Sequence, residues 1–249
     1  VAILVNPQSE LIREPRLLVP GQVPLGPVKL SSHPLAAKVR RLALPGRRLV
    51  FDGAAPAPAS VVDYGSVGTP YGLAGKSNTT SGDYLICPAS ARDTSASGFT
   101  IGVFAAPVAT AARQDVVAQL NESSPYQQRV LAFNANENYS AASGRFAGWV
   151  YDTGRAVRST ANQVDGNWHV FAFSARLGPL YHGLYRDGVN CAEYQSALAT
   201  SFTNWTPFQF RIGTGTTDPV ALVVDFFPAL TDQEVAEWSA DPFCLLSVA

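Results

Sequence analysis

Residues 166–194 read GNWHVFAFSARLGPLYHGLYRDGVNCAEY. Leu180 to Arg186 and Val189 to Tyr194 are short apolar alternations, and Asp187-Gly188 between them supplies the positive φ values of a two-residue type I′ turn. Just upstream, Phe171 and Phe173 share one face of a strand while Trp168, Val170 and Ala172 share the other. Both faces are apolar, which predicts a central strand covered on both sides. A hairpin beside such a strand sets the reading for the rest of the chain: an all-β sandwich of two antiparallel sheets.

Working outward, the same pattern of short apolar runs broken by Gly, Asn, Asp and Ser recurs from about Phe51 onward. Strands are expected over Phe99 to Ala105, Val116 to Leu120, Arg129 to Asn134, Phe146 to Tyr151, Phe208 to Gly213 and Val220 to Phe227. One helix interrupts the pattern near the end, in ALTDQEVAEW. Thr231 is its N-cap and Glu234 the reciprocal partner, with Leu230 and Val235 as a hydrophobic staple and Pro242 as the stop.

The 249 residues carry 18 Lys+Arg and 19 Asp+Glu, so only 15% are charged, against about 25% in an ordinary soluble domain. That charge is unevenly placed. Residues 1–48 hold eight basic groups and two acids (8 − 2 = +6), and the remaining 201 residues hold ten basic and seventeen acidic (10 − 17 = −7). The front part also carries seven prolines. It reads as an extended arm (1–48) leading into a jelly roll (49–249). Its aliphatic residues are expected to dock on a neighbour while its basic side chains meet acidic surface. The expected contacts are Arg13, Arg16, Leu17, Leu18, Lys29, Arg40, Arg41, Arg47 and Arg48. Nucleic acid is disfavoured as a partner, because no aromatic accompanies these basic residues for base stacking. No apolar run approaches the roughly 18 residues that cross a bilayer, so no membrane association is expected.

Chemistry is sparse. The sequence has no GxSxG, HExxH or EF-hand pattern. Three histidines, His33, His169 and His182, stand without a visible orienting partner; Asp165 and His169, if both on a strand, lie about 13 Å apart. AGKS at 74–77 lacks the first glycine of a phosphate loop, because position 70 is Pro70, and reads as a glycine-rich turn. Asp225, inside the apolar run VALVVDFF, is expected to cap a loop or pair with an arginine. Cys87, Cys191 and Cys244 read as small buried hydrophobes, with one disulfide as the other possibility. Trp149, Trp168 and Trp238 are expected in the core, and Trp205, in the loop TNWTP, is expected to be exposed. Sequons begin at Asn78, Asn121, Asn138 and Asn204.

GFTIGVFAA (98–106), residues 166–189, FRIGTG (210–215) and ALVVDFFPALTDQEVAEWSADPF (221–243) follow an order that resembles the laminin G-like, concanavalin A-like lectin/glucanase superfamily. The last segment is similar to the ending of such domains in tailed-bacteriophage virion proteins, and HPLAAKVRRLALPGRRLVFDGA (33–54) with TPYGLAGKSN (69–78) and SGDYLI (81–86) to their opening. The resemblance implies a two-sheet jelly roll and a place on a phage particle; it covers about residues 33–246, and the extended N-terminal arm, whose first 30 residues match nothing in it, and the one short C-terminal helix are read from the residues themselves. It carries no catalysis, because the glucanase acids are missing, and no lectin metal site, although a rim calcium stays open. The function expected from it is a capsid decoration or cement protein, a homo-oligomer contacting the major capsid or other virion proteins. It would need no cofactor and be located in the virion after assembly in the host cytoplasm. The alternative is a carbohydrate-binding module on a head fibre or tail, holding surface glycans with Tyr71, Tyr139 and Trp205.

Overall fold

The computed structural model describes residues 24, 26–52, 56–58, 60–62, 64–77, 84–87, 98–120, 129–138, 140–150, 155–177, 180–195, 209–212 and 218–249. In chain order the early strands are β1 (Val28–Leu30), β2 (Val39–Leu44), β3 (Leu49–Asp52), β4 (Pro56–Pro58), β5 (Ser60–Val62), β6 (Tyr64–Thr69), β7 (Gly72–Ser77) and β8 (Tyr84–Cys87). The middle of the chain supplies β9 (Gly98–Ala105), β10 (Gln114–Leu120), β11 (Arg129–Ala135), β12 (Ala141–Val150), β13 (Arg155–Ser159), β14 (His169–Leu177) and β15 (Leu180–Arg186). Then come β16 (Val189–Asn190), β17 (Ala192–Gln195), β18 (Gln209–Ile212) and β19 (Val220–Phe226), the helix α1 (Asp232–Ala240), and β20 (Leu246–Val248).

Two antiparallel sheets form the sandwich. One runs β17-β13-β12-β11-β10-β18-β8-β5; the other runs β16-β15-β14-β9-β19-β2-β3-β4, with the hairpin β6–β7 attached to β19 through β7. At both sides a strand pair passes from one sheet to the other, β4 to β5 and β16 to β17, so the two sheets share their margins. The layer between the sheets is aromatic and aliphatic. Phe99, Ile101, Phe171 and Phe173 meet Leu131, Phe133 and Phe146, and Phe133 and Phe146 set their rings edge-on to Phe171 at 4.8 and 5.1 Å between centroids.

As the sequence predicts, β14 is covered on both sides. Val170 and Ala172 turn outward under a second layer made by Val235 and Trp238 of α1 and by the tail Phe243 to Leu246. Gly102 of the neighbouring β9 makes room for this layer, because a Cβ there would stand 2.2 and 2.3 Å from two atoms of the Trp238 ring. The helix begins as expected: Glu234 N–H donates to Thr231 Oγ1 at 3.2 Å and Thr231 N–H donates to Glu234 Oε2 at 2.9 Å. Leu230 and Val235 are fully buried beside the cap.

The arm boundary is corrected. Residues 28–48 belong to the sandwich: β1 pairs with β20, Pro34–Lys38 is a 3-10 turn that buries Leu35 and Ala36, and β2 lies inside the second sheet between β19 and β3. Proline and charge misled the sequence reading. Pro34 and Pro45 open 3-10 turns, where a missing N–H costs nothing. Leu42 and Leu44 are buried on one face of β2 and Ala43 on the other. AGKS is likewise a strand segment within β7, and the turn precedes it at Pro70-Tyr71.

Candidate functional site

Strands β9, β14, β15 and β19 reach a common rim, where His169 pairs with Ala105, Ala105 with Val220, and Phe171 with Arg186. The turn that closes β15 onto β16 has φ +50 at Asp187 and +79 at Gly188, the two positive values expected of it. Its aspartate faces back to β14: Val170 N–H donates to Asp187 Oδ1 at 3.0 Å, and Asp187 Oδ2 lies 2.6 Å from His169 Nδ1. The other ring nitrogen, Nε2, is 3.2 Å from Asp165 Oδ1 and 2.5 Å from Arg186 Nη2, and Arg186 donates to Asp165 Oδ2 at 2.6 Å.

The 13 Å separation of Asp165 from His169 is therefore corrected. Asp165 precedes β14 in a loop, where Asn167 N–H donates to Asp165 Oδ1 at 2.9 Å and folds the carboxylate back over the imidazole. Burial opposes ionisation of Asp165. The Asn167 N–H and the Arg186 guanidinium, aided by His169, outweigh it and hold the carboxyl at about 2. Asp187 at Nδ1 and Asp165 with Arg186 at Nε2 engage both nitrogens of His169, so the imidazole ties the start of β14, the Asp187 turn and the Asp165 loop together.

One residue before His169, Trp168 points to the opposite, outer face. It stands 5.4 Å from Tyr71 at 63°, and both rings rest on Phe104, at 5.0 and 4.9 Å. Phe104 is buried, whereas Tyr71 and Trp168 are half-buried. The sequence reading put Trp168 in the core; it packs against the outer-layer cluster on the face it shares with Val170 and Ala172, but stays only partly buried, beside Tyr71. Asn167 is exposed next to this pair. Two aromatic rings with a polar margin offer stacking area at low conformational cost. Tyr139 and Trp205 lie outside the described residues, and Trp149 and Trp238 are buried.

A second polar cluster escaped the sequence reading. Arg176 pairs with Asp232 at the start of α1, Tyr185 O–H donates to Asp232 Oδ1 at 2.9 Å, and Arg176 also lies over the Tyr181 ring, 4.7 Å from its centroid. Gly183 lets the two tyrosines converge, since a Cβ there would be 2.6 Å from Tyr181 and 2.7 Å from Tyr185. Burial, followed by the neighbouring Tyr181 and Asp232, pushes the Tyr185 hydroxyl well above the usual tyrosine range. This cluster seats the helix on the sheet.

Of the expected arm contacts, Arg13, Arg16, Leu17 and Leu18 lie outside the described residues. Arg40 and Arg41 are corrected: at 4% and 1% exposure they belong to the interior. Arg40 stacks its guanidinium 4.2 Å from the centroid of Phe227. Lys29 and Arg48 are exposed. Arg47 turns inward on the chain itself, donating to the carbonyl oxygens of Pro24 at 2.5 Å and Gly26 at 2.9 Å. Asp225 pairs with Arg129, one of the two roles its sequence context allows. Cys191 and Cys244 are thiols outside any disulfide, and burial pushes Cys191 up to about 12. Among the described residues no group of three His, Cys, Asp or Glu is placed to hold a metal ion, and no helix is long and apolar enough to cross a membrane.

No family model matches the sequence, and no curated protein matches it. Its fold is that of known β-sandwich proteins. The binding domain of botulinum neurotoxin DC, solved with rat synaptotagmin II, is 7% identical and aligns with a TM-score of 0.59 over 82% of this chain and 52% of that one. Trypanosoma rangeli sialidase with sialic acid is 13% identical, with a TM-score of 0.57 over 82% of this chain and 33% of that one. Domain 4 of AbnA, a GH43 extracellular arabinanase from Geobacillus stearothermophilus solved with arabinotriose, is 11% identical, with a TM-score of 0.51 over 74% of this chain and 88% of that domain. The chain thus spans about a third of the sialidase and about half of the toxin domain. At these identities the likeness is one of fold.

Proposed function

We propose that this chain is a non-catalytic structural protein of a bacteriophage particle, a decoration or cement protein of the laminin G-like, concanavalin A-like type. In this role it works as a homo-oligomer without cofactor, and contacts the capsid through its N-terminal segment. One observation carries the reading. The β1–β20 ribbon, the bond from Ala249 N–H to Pro27 O at 3.0 Å, and the grip of Arg47 on Pro24 and Gly26 tie Pro24 and residues 26–30 to the folded body, directly after the aliphatic stretch 1–23 of the sequence. A rigid domain with a tethered aliphatic segment suits lacing onto a shell. The polar clusters have structural work to do: His169 is hydrogen-bonded to Asp187, and Asp225 pairs with Arg129 between the sheets. The test is to add purified full chain to particles that lack it. Saturable binding at a fixed copy number, lost in the double variant Leu17→Asp/Leu18→Asp, is the expected result; no binding to any particle fraction would overturn it.

A second reading, glycan or receptor binding on a fibre or tail, is favoured by the half-buried pair Tyr71 and Trp168. Two of the compared structures were solved with sialic acid and arabinotriose, which makes sugars the first probes to try. A glycan array that shows binding, lost in Trp168→Ala with the fold intact, would favour this reading over the first.

A further inference from the structure

The imidazole of His169 meets charged groups at both ring nitrogens. Asp187 Oδ2, from the turn that closes β15 onto β16, lies 2.6 Å from Nδ1. Arg186 Nη2, from β15, lies 2.5 Å from Nε2, and Asp165 Oδ1, from the loop before β14, lies 3.2 Å from the same nitrogen. Arg186 also brings its Nε to 3.9 Å from Asp187 Oδ2. On β14 itself the ring of Phe171 stands edge-on at 6.0 Å, and β9 places Ala105 opposite His169. Two carboxylates and one guanidinium therefore face this histidine.

These contacts select one form of the ring. An ionised carboxylate only accepts, so the hydrogen between Nδ1 and Asp187 belongs to the imidazole. A guanidinium only donates and keeps its charge, so Nε2 must offer its lone pair to Arg186 Nη2. Held this way the imidazole is neutral, with its hydrogen on Nδ1. A second proton on Nε2 would set N–H against N–H at 2.5 Å and one cation against another. An acceptor for that proton is already in place, because Asp165 Oδ1 lies on the same side of the ring.

Arg186 is also a strap across the loop that precedes β14. Its Nη1 donates to Asn162 O at 3.3 Å and its Nη2 to Asp165 Oδ2 at 2.6 Å, while Asp165 Oδ1 accepts from Asn167 N–H at 2.9 Å. The backbone of the same loop is tied elsewhere: Gln163 and Val164 donate to Gly144 O at 2.7 and 3.1 Å, and Gly166 donates to Pro107 O at 2.8 Å. The guanidinium thus joins the loop to β15, and Trp168 follows Asn167 directly.

We propose that His169 is a proton-operated latch on this loop, exchanging Arg186 for Asp165 when the imidazole is protonated. In the neutral form Nε2 accepts from Arg186, and the guanidinium spans His169, Asp165 and Asn162. One proton taken up from solvent sits on Nε2, Nε2–H donates to Asp165 Oδ1, and Arg186 leaves the imidazole for solvent. The four side chains carry −1 before the exchange and 0 after it. Asp165 fits the second arrangement, since the charge on His169 is among the causes that hold its carboxyl at about 2. The exchange draws Asp165 Oδ1 toward His169 and away from Asn167 N–H, next to the Trp168–Tyr71 pair, and it operates whatever the domain binds.

The experiment uses the full chain. Nitrogen NMR of the His169 ring and the Arg186 guanidinium, assigned against His169→Gln, is followed from about pH 8.5 to about pH 4, a range that spans ordinary imidazole titration. Expected at the alkaline end is a ring with its hydrogen on Nδ1 and a bare Nε2. As the ring takes its second proton, the Arg186 Nη hydrogens exchange with water about tenfold or more faster, with the same midpoint. Arg186→Gln moves that midpoint up and Asp165→Asn moves it down, each by about one pH unit, with thermal melts at neutral pH to show that both variants fold. A ring with its hydrogen on Nε2 at the alkaline end overturns the proposal. So does an Arg186 signal that ignores the His169 titration, or a midpoint that Arg186→Gln leaves in place. The first two outcomes are read on the unaltered chain, so the proposal stays open to refutation even where a variant does not fold.

Discussion

Arg129 of one sheet and Asp225 of the other meet inside the sandwich in a two-bond ion pair, Nη1 to Oδ1 at 2.9 Å and Nη2 to Oδ2 at 3.1 Å, with their side chains 1% and 0% exposed. The guanidinium also lies 4.8 Å from the centroid of Phe99. Two charges out of water cost several kcal/mol each in desolvation, and this geometry offsets that by supplying matched donors and an aromatic face. The pair fixes how the sheets face each other. Register on the second sheet puts Arg41 directly opposite Asp225 as well.

Removing one partner strands the other charge. Asp225→Ala is expected to cost about 3–5 kcal/mol, whereas replacing both residues by apolar ones of similar volume, Arg129→Met with Asp225→Leu, is expected to be near neutral or stabilising. Urea denaturation of the single and double variants measures this. A single variant as stable as the parent would show that the pair does not hold the sheets.

The outer layer depends on a glycine and a cap. Gly102→Ala puts a methyl group into the Trp238 ring and is expected to destabilise by about 1–3 kcal/mol through overpacking. Thr231→Ala removes only the helix cap and is expected to cost about 1 kcal/mol. Chemical denaturation of both variants should rank Gly102→Ala as the more damaging, and the reverse order would argue against a tight fit of α1 on β9.

Acid should weaken the fold. Asp165 is held at about 2. Asp232 is held below the usual carboxylate range chiefly by Arg176, and Glu234 is lowered by Lys38 and the Thr231 cap against the opposing effect of burial. Groups depressed in the folded state contribute stability that is fully present above the unfolded pKa, about 4, and is lost as pH falls toward 2. Asp218 works the other way, because burial raises it and protonation relieves that cost. Melting temperatures recorded at a series of pH values should fall between about pH 5 and pH 2, and the fall should be shallower in Asp165→Asn. Identical profiles for parent and variant would refute the rim assignment.

The rim aromatics give a separate prediction. Tyr71→Ala takes an edge-on partner from Phe104 and Trp168 at the surface, and the loss expected for such a ring contact is about 0.5–1.5 kcal/mol beyond area. Tryptophan fluorescence should shift to longer wavelength as Trp168 gains water. An unchanged spectrum would mean that the two rings do not cover each other in solution.

Much of this architecture was legible in local sequence, because period-two alternation, an Asp-Gly turn and a capping box each act within a few residues. The hairpin at 187–188, the central strand through Phe171 and Phe173 and the helix start at Thr231 follow from the chain read a few residues at a time. Other features were set by partners far along the chain. Val39–Leu44 is a strand because β19, with partners such as Val223 for Ala43 and Phe226 for Val39, supplies its ladder from the far end of the chain, and its two arginines are interior although their charge reads as exposure. His169 gains its aspartates from a loop and a turn that only the folded rim brings together, and Trp168 stays partly exposed because its neighbour there is Tyr71 at the rim. Sequence fixes what a residue does to its neighbours through backbone geometry and side-chain periodicity. Which charges are buried, which edge stays open and which aromatics meet solvent depend on tertiary packing, because each is decided by a surface that another part of the chain provides.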